Sequence, residues 1–413
     1  MPAEAWLGAL RQRDFALLFS GQAISWVGTF MVPVALSFAV LDRGGTTAQV
    51  GWVLGAETVP LVLLLLPAGA VADRVNRRLV MVGADLLRTG AQGVLAGWVI
   101  AGRPPLSAFL VCEALVGAGT AFFQPALTGL MPAVASPRYL QQANSFTGTA
   151  QSAGFLVGPA VAGVVVAGAG AGWAIAADAA TYAISVVLLA AMRAGVTPVK
   201  TATSLIADLV EGWQAFRSRT WLWVVVAQFA GLGLLAEAPF FVLGAVVAKR
   251  SLGGADAWGA VLAANGAGAV LAGLVLLRVQ PRHPLRVAEA ALLTWAIPLV
   301  GLAWHAQLPV VVAGAFAAGV GWGMFGPLWE TTMQRELPTD VLSRASAYDW
   351  FGSAVLLPVG YALTGPLASS LGIEGTLLLA AGYTVVSTVM VLSIPSVAGL
   401  RLTVPATGAD ASR

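Results

Sequence analysis

Residues 59–84 read VPLVLLLLPAGAVADRVNRRLVMVGA. A long apolar run stops at a short turn holding one acid and three arginines, and a second apolar run starts at once. Two apolar helices joined by a compact charged hairpin are how a chain crosses a bilayer twice, because backbone groups in hydrocarbon must be satisfied inside the helix. The rest of the chain repeats the pattern. Hydrophobic residues make up 58% of the 413 and charged residues 10%, against roughly a quarter charged in soluble domains. A soluble globule could not cover its surface with so few polar groups. The first apolar stretch, 15–41, is too long for a cleaved signal peptide and reads as a permanent span.

Dividing the chain at charged and Gly/Pro-rich punctuation gives twelve spans: 15–41, 48–71, 79–101, 106–131, 140–167, 173–192, 221–247, 257–277, 286–304, 309–332, 346–369 and 375–395. The expected fold class is an all-α membrane protein with twelve transmembrane helices in two six-helix pseudo-repeated bundles. With both termini cytoplasmic, 17 of the 22 basic residues fall on the inner side; Arg43, Arg103, Lys249 and Arg250 fall outside and Arg88 within a span. That asymmetry is the positive-inside rule, and an error of one span would scramble it. The expected location is the inner (cytoplasmic) membrane.

The longest polar connection separates six spans from six. Residues 1–192 form an N-terminal bundle, 193–220 a cytoplasmic linker, 221–396 a C-terminal bundle and 397–413 a cytoplasmic tail. Within the linker, Leu205, Ile206, Leu209, Val210, Trp213 and Phe216 recur at helical spacing, which predicts an amphipathic helix on the inner surface. Residues 119–145 also align without gaps onto 321–347, an offset of 202, with Phe123/Phe325, Pro125/Pro327 and Met131/Met333 identical. Two repeated halves around a midplane site are a transporter architecture.

Several chemistries are absent. Cys112 is the single cysteine, so no intramolecular disulfide can form. His283 and His305 are the two histidines, no HExxH or CxxC occurs, and no metal site or catalytic residue is expected. Lys200 and Lys249 are the two lysines and neither completes a phosphate-binding Gly-rich loop. No cofactor, no nucleic acid and no enzymatic role is expected.

The turn Gly69-Ala-Val-Ala-Asp73-Arg74-Val-Asn-Arg77-Arg78 resembles the signature loop of the major facilitator superfamily, with Asn76 in place of the usual glycine. Asn tolerates the same left-handed backbone. Asp73 can cap a neighbouring helix while the arginines anchor the turn, so Gly69, Asp73, Arg74, Arg77 and Arg78 are a conformational-latch motif; a purely topogenic role for the positive charges is the alternative. The second half has a worn copy, 273–282, without the acid. Gly154, Gly158, Pro159 and Gly163 in span 5 resemble the Gly-Pro element of the superfamily's antiporter branch, where glycines permit close helix approach and proline a kink. Gly21-Gln22-Ala-Ile-Ser25, Ala84-Asp85-Leu-Leu-Arg88, Phe123-Gln-Pro125-Ala126 and Leu140-Gln-Gln-Ala143-Asn144 look like the drug-efflux branch that includes macrolide and enterobactin exporters. The resemblance implies secondary export of a small hydrophobic or cationic molecule by proton antiport through alternating access. It implies membrane lipid, a small-molecule substrate and protons as partners, and a functional monomer. Uptake or facilitated transport on the same fold, a membrane-embedded enzyme and a sensor are the alternatives.

In that family, spans 1, 4, 7 and 10 line the central cavity. A carboxyl group at lipid depth is costly and is by default a functional candidate. Glu57, Glu113 and Glu237 lie well inside spans 2, 4 and 7 and are the proton-coupling candidates, since desolvation is what brings a carboxyl group into the neutral range. Glu113 occupies the place where many antiporter relatives carry an arginine. Thr120 and Gln124 share its helical face, seven and eleven residues on. They join Gln22 and Trp26 of span 1, Trp322 and Trp329 of span 10 and Trp350 of span 11 as substrate-cavity candidates. Asp85 and Arg88, three apart on span 3, are expected to form a structural ion pair. Glu330 and Asp349 are expected near the cytoplasmic ends of spans 10 and 11, beside the Asp73 loop or in solvent. Asp178 and Glu289 are expected near span ends and structural.

Overall fold

A computed structural model of the chain describes residues 8–72, 75–102, 104–136, 139–193, 213–214, 216–276, 279, 281–337 and 339–401. Asp73 and Arg74 of the latch motif, and Leu205, Ile206, Leu209 and Val210 of the expected amphipathic helix, lie outside them. The described residues are almost entirely helical and contain no strand.

The spans are Arg13–Asp42, Thr47–Ala72, Arg77–Ala101, Leu106–Val134, Leu140–Ala169 and Ala171–Ala191 in the first half. In the second half, span 7 is Thr220–Leu252, span 8 Ala255–Leu276, span 9 Pro284–Ala303 and span 10 Leu308–Glu336. Spans 11 and 12 run from Thr339–Ala354 into Leu357–Leu392, a continuous stretch that turns back at Gly372, where φ is 76°. Among the described residues, eleven helices are long and apolar enough to cross a membrane; the last of these, Tyr348–Leu392, contains two spans, which makes twelve.

The 202-residue offset holds to the residue. Span 4 begins at Leu106 and ends at Val134, and span 10 begins at Leu308 and ends at Glu336. Span 5 passes into span 6 through Gly170 alone (φ 97°), as span 11 passes into span 12 through Gly372. A one-residue reversal between antiparallel helices needs a left-handed residue, and glycine adopts that conformation without Cβ strain. Prolines inside spans 1, 2, 4, 5 and 10 are accommodated, because neighbouring helices shelter the freed carbonyls.

The two halves meet near the face that bears the connections 43–46, 253–254 and 372. Spans 5 and 8 touch backbone to backbone: a Cβ at Gly163 would lie 3.0 Å from the Ala255 carbonyl, and one at Gly259 would lie 2.6 Å from that of Pro159. Spans 2 and 11 meet at Gly51, Gly55 and Tyr361. Lys249 Nζ bonds Asp42 Oδ1 at 2.6 Å across the same face. Lipid gives helices no hydrophobic drive to associate, so close packing of small residues supplies the attraction. On the opposite face, which carries Arg77 and Arg78, Trp350 is 69% exposed at the mouth of a cavity.

Candidate functional site

Span 7 is an irregular helix. Gly233–Glu237 forms one wide turn that adds a residue to the helix and ends on Glu237, the kind of local bulge that is common at functional sites. Glu237 lines a cavity of about 630 Å³ whose walls come from spans 7, 10 and 11: Phe229, Trp322, Phe325, Trp329, Glu330, Asp349 and Trp350 are among them. The aromatic groups pack on one another, Phe229 against Phe325 at 4.4 Å and Phe325 stacked on Trp329 at 5.8 Å. Trp329 Nε1 donates to Asp349 Oδ2 at 3.0 Å. The cavity therefore combines flat apolar walls with three carboxyl groups, which suits a small molecule carrying rings and positive charge.

Trp322, Trp329, Trp350 and Glu237 line this one cavity, and the other cavity candidates do not join them. Trp26 is 8% exposed and packs against Gly154 of span 5, and Gln22 is 6% exposed. Span 1 turns this face to its own bundle because Gly154 and Gly158 let span 5 approach; a Cβ at Gly158 would lie 2.7 Å from Phe30 Cβ. Thr120 returns its hydroxyl to the Val116 carbonyl at 3.0 Å, and Gln124 is exposed. Glu330 and Asp349, placed at the span ends by sequence, are cavity walls.

A second polar assembly lies inside the first bundle. Glu113 is fully buried and neither carboxyl oxygen has a hydrogen bond; Gln92 of span 3, its polar neighbour, also lacks partners. Glu57, Asp178 and Glu113 are within electrostatic reach of one another. Arg88 pairs with Asp85 as expected and is clasped between the rings of Phe123 and Tyr182, 4.4 and 4.3 Å from their centroids. Asp178 is fully buried with both carboxyl oxygens unpartnered, against the expectation of a span-end position. Span 6 starts at Ala171, so Asp178 stands two turns inside, level with Gly28 of span 1. It is the single charged residue of that helix, which was the signal available in the sequence. Glu289 is also fully buried, beside Gln228 of span 7, which donates to Thr388 of span 12 at 3.2 Å.

At the cavity-mouth face, Asn76 caps span 3 by accepting from the Arg78 backbone N–H at 3.0 Å. Arg77 donates to the Gly129 carbonyl at 2.6 Å, and Arg78 to those of Leu189 (2.7 Å) and Ala190. These arginines close the C-terminal ends of spans 4 and 6 within their own half, where helix dipoles favour positive charge. Gly69 sits inside span 2.

The model of the Major Facilitator Superfamily matches residues 18–357. The chain belongs to this superfamily. Its arrangement of spans matches solved superfamily-like transporters: a peptide transporter, POT, at a TM-score of 0.76 and 14% identity over 94% of this chain and 96% of that one, and the nucleoside transporter NupG at 0.72 and 13% over 92% and 99%. At such identities the likeness concerns the fold. Among curated relatives, the multidrug efflux pump Tap of Mycolicibacterium fortuitum is 27% identical over 380 residues, covering 88% of this chain and 90% of the relative. Macrolide efflux protein A of Streptococcus pyogenes is 20% identical over 372 residues, covering 88% and 92%. In the superfamily frame of cavity-lining spans 1, 4, 7 and 10, the described cavity is built by spans 7 and 10 with span 11, and the candidates on spans 1 and 4 lie away from its walls.

Proposed function

We propose that this chain exports a small hydrophobic or cationic molecule in exchange for protons, by alternating access between bundles 1–192 and 221–396, joined by linker 193–220 and followed by tail 397–413. The observation that carries the reading is the cavity that sets Trp322, Trp329 and Trp350 beside Glu237, open at one face while glycine contacts and the Asp42–Lys249 pair close the other. The relatives, a multidrug efflux pump and a macrolide efflux protein, support export as the direction. The acidic cluster supports protons as the counter-ion: buried Asp85, Glu113 and Asp178, with half-buried Glu57, share the guanidinium of Arg88, and full ionisation of such a set in a low-dielectric site is prohibitively costly. Exchangeable protons balance it, and Glu113, Glu57 and Glu237 carry them. The open face is the cytoplasmic one, with both termini on that side of the inner membrane and a monomer as the working unit. Reporters fused after residue 200 and within 249–256 will fall on opposite sides.

The test is transport in everted vesicles loaded with a pH-sensitive dye, using a planar organic cation and an uncharged macrolide as probes. Addition of a transported probe will dissipate an imposed proton gradient. Probe movement that ignores the gradient, or runs only in the opposite direction, overturns the reading.

A further inference from the structure

Span 11 places Gly360 and Tyr361 side by side where three helices meet. Gly360 admits the wide turn of span 7: a Cβ there would lie 2.7 Å from the Leu234 carbonyl oxygen and 2.8 Å from that of Gly233. From the other half, Gly51 and Gly55 of span 2 rest on Tyr361; a Cβ at Gly55 would lie 3.0 Å from Tyr361 Cβ, and one at Gly51 would strike the Tyr361 carbonyl. Glu237 is the last residue of that span 7 turn, and Glu57 follows Gly55 by two residues. Tyr361 is 8% exposed, and its phenol feels Glu237 from one half and Glu57 from the other. Leu357, one helical turn earlier, already lines the cavity. Tyr361 therefore stands one turn beyond the cavity wall, on the seam between the bundles.

We propose that Tyr361 is the proton link between the cavity carboxyl of Glu237 and the acidic cluster of the first bundle, headed by Glu57, and that the link exists only while spans 2 and 11 touch. A phenol suits the task because its oxygen accepts one proton while its own O–H donates another. The Glu237 O–H bond breaks as its proton passes to the phenol oxygen, the original phenolic O–H breaks as that proton passes to the Glu57 carboxylate, and tyrosine ends unchanged. Beyond Glu57 lie Glu113, Asp178 and Arg88. The transfer frees the Glu237 carboxylate for a cationic substrate while the cavity is open. When the closed face parts, Gly51 and Gly55 leave Tyr361, and the stored proton is cut off from the cavity. That break keeps the stored proton from returning to Glu237 while the cavity faces outward; the cluster gives it up to the inner side before the next cycle, and the proton gradient sets the direction of exchange.

This inference rests on the proton-antiport reading, and two measurements on the full chain in proteoliposomes separate them. One is efflux of a planar organic cation driven by an imposed pH gradient; the other is its exchange at equal pH, which needs no net proton transfer. Wild type must respond to the gradient, and if it does not, antiport fails and the link falls with it. With wild type coupled, Tyr361→Phe keeps the ring and removes the O–H. It is expected to lower gradient-driven efflux by about tenfold or more while exchange stays within about twofold. Tyr361→His, which also carries protons, is expected to recover part of the driven efflux. Driven efflux at the wild-type level in Tyr361→Phe overturns the link, and loss of exchange together with driven efflux assigns Tyr361 to packing instead.

Discussion

The indole N–H of Trp329 donates to the Asp349 carboxylate at 3.0 Å, tying span 10 to span 11 on the wall of the cavity. The same indole is stacked on Phe325 and meets Trp221 edge-on at 5.5 Å, so one hydrogen bond holds an aromatic surface in register with a carboxyl group.

Trp329→Phe keeps a ring but removes the donor. Losing a hydrogen bond to a buried carboxyl costs about 1–3 kcal/mol, and if the wall is the binding surface, affinity for a planar cation will fall about tenfold with expression unchanged. Equilibrium binding by tryptophan quenching measures it. Wild-type affinity would remove this wall from substrate binding.

Glu113 is sealed with no hydrogen bond to either carboxyl oxygen, while Glu237 opens on the cavity. Glu113→Gln is expected to abolish gradient-driven export while leaving probe binding intact, because Glu113 belongs to the proposed proton store and lies away from the cavity walls. Glu237→Gln is expected to reduce both. The pair is read by comparing driven export with equilibrium binding. Full driven export by Glu113→Gln would take it out of the proton path.

Asp42 and Lys249 join the halves at the closed face, with side chains 58% and 34% exposed. Such a pair is worth about 1 kcal/mol or less, which still shifts a two-state equilibrium by up to about fivefold. Lys249→Asp will raise maleimide labelling of a cysteine introduced at Ala255, and Asp42→Lys in the same chain will restore it. The difference will shrink at about 0.5 M salt, where exposed charges are screened. Equal labelling rates in all three proteins would deny the pair a latching role.

Arg88 is 6% exposed, bonded to Asp85 and enclosed by Phe123 and Tyr182. Arg88→Met strands Asp85 among acids and is expected to cost about 3–5 kcal/mol. Pairing it with Asp85→Asn will return most of the thermal stability in detergent. A single variant as stable as wild type would show that the pair is not structural.

The spans, their number and the repeat were legible in the sequence because lipid imposes one rule on every crossing segment: enough apolar residues, with charge at the ends. The offset of 202 that pairs Phe123 with Phe325 also pairs Gly170 with Gly372, and both glycines turn the chain between spans. Asp85 and Arg88 were readable as a pair because three residues along a helix bring side chains together whatever surrounds it. Which way a helix faces was decided only by tertiary structure. Lipid, the neighbouring helix and a cavity wall all accept apolar side chains, so spans that are apolar on every side carry no stripe to mark the inward direction. Trp26 therefore turned out to pack on Gly154, Asp178 to lie sealed beside the Arg88 cluster, and Tyr361 to stand on the seam between Glu57 and Glu237, each placed by where glycines let a second helix come close.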